Sequence, residues 1–201
     1  MKKIMKRIVL CAVLSAGIWT WGILADRQTL NEELLRLHVV ADSDSAADQN
    51  IKLKVRDAVI DSISADLANI ADISQARCYI EENLPKIQQV ANDTLKALGC
   101  GDTAVATLKE EIFDTRFYDT FTLPAGVYGS LRITIGDGEG ENWWCVVFPT
   151  LCVPATSEGF EDVAAGAGFS DSLTDTLEGE CEIRFYLLDL LGRLDGYFRQ
   201  G

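Results

Sequence analysis

The sequence predicts an α+β domain carried behind an N-terminal membrane segment, and three observations make that prediction. A basic run is followed by an uncharged apolar stretch; apolar residues then recur at helical spacing through the middle of the chain; and from Asp102 onward β-branched and aromatic runs alternate with Gly, Pro and Asp. The expected order is a membrane segment, a short strand, a helical middle, an antiparallel sheet in the C-terminal half and a closing helix.

Lys2, Lys3, Lys6 and Arg7 precede an 18-residue uncharged stretch from Ile8 to Ala25, which ends at Asp26-Arg27. That length falls between the roughly 7–15 residues of a signal-peptide core and the about 20 of a full span, so residues 1–25 read as a signal peptide or as a signal-anchor helix. The positive charges ahead of the stretch place the N-terminus in the cytoplasm and residues 26–201, a single domain, outside. Residues 1–25 hold four positive charges and no negative one, so the net charge of −13 for the whole chain becomes −17 for the domain. Such a surface repels nucleic acid and favours a basic partner, so nucleic acid is not an expected ligand.

Leu35, Leu37 and Val39 alternate with Arg36 and His38, the pattern of a half-buried strand. Ser45, with Asp48 three positions on, then suits a helix start, and Ile51, Val55, Val59, Ile63 and Leu67 form one apolar stripe behind it. A second helical region runs from about Ser74 to Leu98, with Asp72 and Gln75 spaced as a capping box and Gly99 able to end it. Pro85 within it predicts a kink or two consecutive helices. Leu131, Ile133 and Ile135 alternate with Arg132 and Thr134, and the loop 136–142 leads into the apolar run Trp143 to Phe148; a hairpin is the simplest geometry. Residues 155–180 show no strong periodicity and read as mobile surface. Alternation at Cys181, Ile183 and Phe185 predicts a strand running into a helix that carries Leu187, Leu188, Leu190, Leu191 and Leu194.

The chemistry-bearing residues are few. The chain has one histidine, His38, and no HExxH, CxxC or Gly-x-Ser-x-Gly. Asp42, Ser43, Asp44 and Ser45 close to His38 suit a strand end and a helix cap better than a catalytic triad. Gly136-x-Gly138-x-Gly140 lacks the lysine and the helix of a phosphate loop. Asp137, Glu139, Glu141 and Asn142 offer oxygen ligands for calcium, but a glycine-rich turn needs no metal, so no metal, cofactor or small-molecule substrate is expected. Of six cysteines, Cys11 lies in the apolar stretch, and Cys145 and Cys152 flank a turn at Pro149 that favours a structural disulfide. Trp143 and Trp144, adjacent on a strand, must point to opposite faces; either one is an exposed binding anchor or both are buried under helices.

Three segments resemble the stage II sporulation protein R family: Leu35-Arg-Leu-His-Val-Val-Ala-Asp-Ser-Asp-Ser45 with Asp48-Gln49 and Lys54-Val-Arg-Asp57; Leu123-Pro-Ala-Gly-x-Tyr128; and Gly136-x-Gly-x-Gly-x-Asn-Trp-Trp-Cys-Val-x-Phe-Pro-x-Leu-Cys152. The family pattern has Asn where Asp42 stands and a second proline where Thr150 stands. The resemblance implies a non-enzymatic signalling protein, made in the forespore and exported into the space between forespore and mother cell. There it triggers a membrane-embedded sporulation aspartic protease that processes the precursor of an early mother-cell sigma factor. No catalytic residue carries over. Arg36, His38 and Asp44, expected to cluster at one strand end, and Trp143 and Trp144 are the candidate contacts with the protease. The competing class is an extracytoplasmic enzyme or cell-wall-binding module.

Overall fold

The computed structural model describes residues 2–118, 120–149, 164–166, 169–179 and 181–200. In chain order the elements are α1 (Lys2–Glu33), β1 (Leu35–Val40), α2 (Ala46–Leu67), α3 (Ile73–Ala97), β2 (Ala104–Phe113), β3 (Arg116–Phe117), β4 (Thr122–Leu123), β5 (Gly126–Ile135), β6 (Asn142–Phe148), α4 (Asp171–Leu177) and α5 (Glu182–Gln200). The fold is α+β, with an apolar N-terminal helix and a closing C-terminal helix.

The helix starts obey the local chemistry. The Ser45 hydroxyl accepts from the Asp48 amide at 3.1 Å at the start of α2, and the Asp72 carboxylate accepts from Ser74 and Gln75 at 2.7 and 3.1 Å at the start of α3. Pro85 lies inside α3 without dividing it, and Gly99 takes φ +72° just beyond the C-cap. Val55, Val59, Ile63 and Leu67 of α2 are all buried, as the stripe predicts.

Four strands form one sheet in the order β2-β5-β1-β6, and β3 pairs with β4 separately. The sheet is mixed rather than antiparallel, because β1 lies parallel to β5, with Leu37 opposite Leu131 and Val39 opposite Ile133. The hairpin expected from β5 and β6 does not form, since β1 lies between them and is antiparallel to β6. The physical reason is that all six residues of β1 are buried, and a strand buried on both faces belongs at a sheet's centre. Alternation of Leu35, Leu37 and Val39 with Arg36 and His38 had suggested one wet face.

The two faces have separate cores. Leu35, Leu37, Val39, Leu131, Ile133 and Val147 pack under α2 and α3. On the other face Phe113, Tyr128 and Val146 meet Leu30 of α1, Leu34 between α1 and β1, Leu173 and Leu177 of α4 and Leu188 of α5. Within 155–180, α4 therefore contributes buried side chains, whereas residues 155–163 lie outside the described residues. The expected strand at Cys181, Ile183 and Phe185 does not form: Ile183 and Phe185 lie in the first turn of α5 and Cys181 just before it, since three alternating residues are too few to outweigh the helical spacing that follows them.

Among the described residues one helix, Lys3–Glu33, is long and apolar enough to cross a membrane, with mean hydropathy 2.1 over its most apolar window. It does not stop at Ala25. Ile23, Asp26 and Leu30 are buried against the domain, and Asp26 bonds Arg184 of α5 while Arg27 meets Asp195 at 2.8 Å.

Candidate functional site

The alternation of β1 sends Arg36 and His38 to the face opposite the α2–α3 core, where they meet aromatic and charged residues from remote parts of the chain. The Arg36 side chain is wholly buried. Its guanidinium lies 4.0 Å from the Phe113 ring centroid and 5.1 Å from that of Tyr128, and Nη2 donates to the Tyr118 hydroxyl at 3.0 Å. Among the described residues Nε and Nη1 have no hydrogen-bond partner, and ring faces lie where a carboxylate would pair with this cation. Burial pushes the Tyr128 phenol up from its ordinary value, which keeps it a neutral donor to the Pro124 carbonyl at 2.8 Å.

His38 stacks on Trp144, with centroids 3.8 Å apart and planes 21° from parallel. Its Nδ1 lies 3.3 Å from Oε2 of Glu111, and Oε1 of the same carboxylate takes Arg132 at 3.0 Å and Lys109 at 3.3 Å. Burial raises the Glu111 pKa, but hydrogen bonds from His38, Arg132 and Lys109 outweigh it and hold the group at about 2. Glu111 is thus the fixed anion on which three cationic or polar side chains converge.

The arrangement joins β1, β2 and β5 through the Glu111 carboxylate. Among the described residues no hydroxyl or thiol bonds to His38; Ser43 and Ser45 are instead taken up by Asp48. Nor is there, among the described residues, a group of three or more His, Cys, Asp or Glu side chains placed to hold a metal ion.

Asp44 does not join Arg36 and His38, a correction to the expected cluster. It sits beyond the end of β1, in a latch between the loop after that strand and the glycine loop before β6. Asp44 accepts from the Glu141 amide, Asp42 accepts from the Asp137 amide at 2.7 Å, and the Ala41 carbonyl accepts from Gly140 at 3.0 Å. Lys52 of α2 donates to the Glu141 carbonyl at 2.8 Å. Gly136 and Gly138 take φ +57° and +67°, and a Cβ on Gly140 would come within 2.4 Å of the Ser43 carbonyl oxygen. The glycines are there to let the chain cross the end of β1.

Trp143 and Trp144 do point to opposite faces, and each is half-buried beneath an arginine: Arg56 of α2 lies 4.5 Å from the Trp143 ring centroid, Arg116 of β3 4.7 Å from that of Trp144. Neither of the two readings offered by the sequence describes them fully. Cys145 is buried in β6, and its expected partner Cys152 lies outside the described residues. Glu111, Phe113, Arg116 and Tyr118 were not foreseen; on sequence they are ordinary members of β-rich runs, and only the sheet order brings them to β1.

Residues 31–158 match the family described as stage II sporulation protein R. The chain belongs to that family. The stage II sporulation protein R of Bacillus subtilis (strain 168) is 38% identical over 128 residues, which are 64% of this chain and 57% of the relative. The chain thus spans less than two thirds of that relative's length. No solved structure matches it. The region shared with the family runs from the last turn of α1 through the Arg36–His38 cluster, the glycine latch and the tryptophan pair, and it stops before α4 and α5.

Proposed function

We propose that this protein is an exported, non-enzymatic signal of endospore formation, held in or passed across the forespore membrane by α1. Its domain activates a membrane-embedded aspartic protease of the mother cell, which then processes the precursor of an early mother-cell sigma factor. The observation that carries this reading is the family match over residues 31–158, joined to an apolar N-terminal helix that continues into the domain. The polar centre built on Glu111 supports it, because that carboxylate is taken up by His38, Arg132 and Lys109 from three strands.

Of the contact candidates, Trp143 and Trp144 retain accessible area and Asp44 shapes the loop beside them. Arg36 and His38 act from beneath, by fixing Phe113 and Trp144. A domain that binds the active arrangement of the protease more tightly than the inactive one shifts it towards activity, and only that difference in affinity does so. The direct test is co-purification of the full chain with the protease from solubilised membranes. Association that weakens in Trp143→Ala and Trp144→Ala variants, with their folds intact, is the expected result; no association of the wild-type chain overturns the reading.

A further inference from the structure

Among the described residues of the domain, one face of α5 carries a long run of exposed apolar side chains. Ile183, Tyr186, Leu190, Leu194 and Tyr197 follow at intervals of three and four, which places them on a single stripe, and Phe198 flanks it. Tyr197 and Phe198 are 74% and 75% exposed, Ile183 71%. A lone exposed apolar side chain is ordinary, but a stripe running the length of a helix marks an interaction surface.

The geometry of α5 against α1 says what covers it. Arg184 and Asp195 stand about 16 Å apart along α5, yet they bind Asp26 and Arg27, which are neighbours on α1. The two helices therefore cross steeply. The crossing lies where the uncharged stretch of α1 ends at Ala25, and Arg184 also approaches Gly22. With α1 along a bilayer normal, α5 lies across the bilayer surface at the level where the span emerges. Its opposite side is committed to the domain: Leu188 is buried, Gly192 is pressed against the Ala125–Gly126 backbone and Gly196 against Ile112. The stripe faces away from that packing, and it is rich in tyrosine and phenylalanine, as segments at a membrane–water interface are.

We propose that the stripe on α5 rests in the interfacial layer of the lipid bilayer that holds α1, so that the domain is fixed to the membrane by two elements and presented in one orientation. This rests on the membrane reading of α1 given above, and it concerns residues beyond the region matched to the family. The apolar faces of α1 near the crossing, including Trp19 and Trp21, continue the same lipid-facing surface.

The test uses the full chain, labelled with fluorotyrosine and held in nanodiscs of phosphatidylglycerol and phosphatidylethanolamine, and reads fluorine NMR of the five tyrosines. Tyr186→Phe and Tyr197→Phe variants assign the two signals that matter. Doxyl-labelled lipid should broaden the Tyr186 and Tyr197 signals selectively, a water-soluble gadolinium chelate should not, and Leu190→Ser with Leu194→Ser should abolish the lipid effect. Signals broadened by the chelate and untouched by lipid overturn the proposal. Signals shielded from both, in proportion to protein concentration, overturn it in favour of a second copy of the chain on the stripe. Insertion of α1 is followed separately, as doxyl-lipid quenching of tryptophan emission that disappears in a Trp19→Phe, Trp21→Phe variant. Its absence overturns the membrane reading of α1, whatever the tyrosines show.

Discussion

Replacing Glu111 with Gln tests whether the charge on that side chain holds β1, β2 and β5 together. The substitution keeps the shape and leaves an acceptor, but it removes the anion facing His38, Arg132 and Lys109. Held at about 2 against an ordinary 4.5, the carboxylate favours the folded state, by about 3 kcal/mol at neutral pH. Its side chain is only 12% exposed, so water screens little of this. The sign follows from the depressed value: the contribution is whole above pH 4.5 and is lost as pH falls towards about 2. In a domain of this size that loss lowers Tm by roughly 6–12 °C. Thermal unfolding of the full chain in detergent micelles, followed by near-ultraviolet circular dichroism, should show that gap between wild type and Glu111→Gln at pH 7. The gap should persist to about pH 5 and close below it. Equal Tm values at pH 7, or a gap that does not change with pH, would refute the assignment.

Three further outcomes are expected. Gly140→Ala should destabilise the domain by about 1–3 kcal/mol in urea unfolding, since its Cβ has no room beside Ser43, whereas Asp42→Asn, which keeps the oxygen that accepts from Asp137, should change stability by less than about 0.5 kcal/mol. Asp26→Ala strands Arg184, which bonds that carboxylate at the crossing of α1 and α5; amide exchange in α5 should quicken, and a loss of about 3 kcal/mol is the scale for breaking a mostly buried pair. Peptide mapping without reduction should recover Cys145 and Cys152 in one cross-linked species, and recovery of both as alkylated thiols would remove the proposed disulfide.

How much of this was legible in the sequence depended on the range of the interactions involved. Ser45, Asp72 and the stripe Val55, Val59, Ile63, Leu67 act within a few residues of themselves, and the helices they define are where the pattern places them. The strand at Leu35–Val40 was legible too, but not its place, because pairing with β5 and β6 depends on residues about a hundred positions away. That placement undid the hairpin and made the sheet mixed. Arg36 and His38 are charged or polar, so local reasoning set them on the surface; they are buried because Phe113, Tyr128, Glu111 and Trp144 arrive from other strands to receive them. The short alternation at Cys181, Ile183 and Phe185 resembles a strand locally, but Ile183 and Phe185 belong to the same helix as Leu187 to Leu194. The glycine loop was recognised as a turn, while its partner, the carbonyl and carboxylate groups at the end of β1, is a tertiary fact.

The role proposed for this chain is to switch on a protease from outside the membrane. It is tested most directly by expressing the chain with the membrane-embedded sporulation protease and the sigma-factor precursor in a host that does not sporulate, and following the precursor by immunoblot. The account predicts that the shortened sigma factor appears only when the full chain is present and exported. A precursor that is cleaved equally without the chain, or that stays intact when all three proteins are expressed and correctly placed, would contradict it.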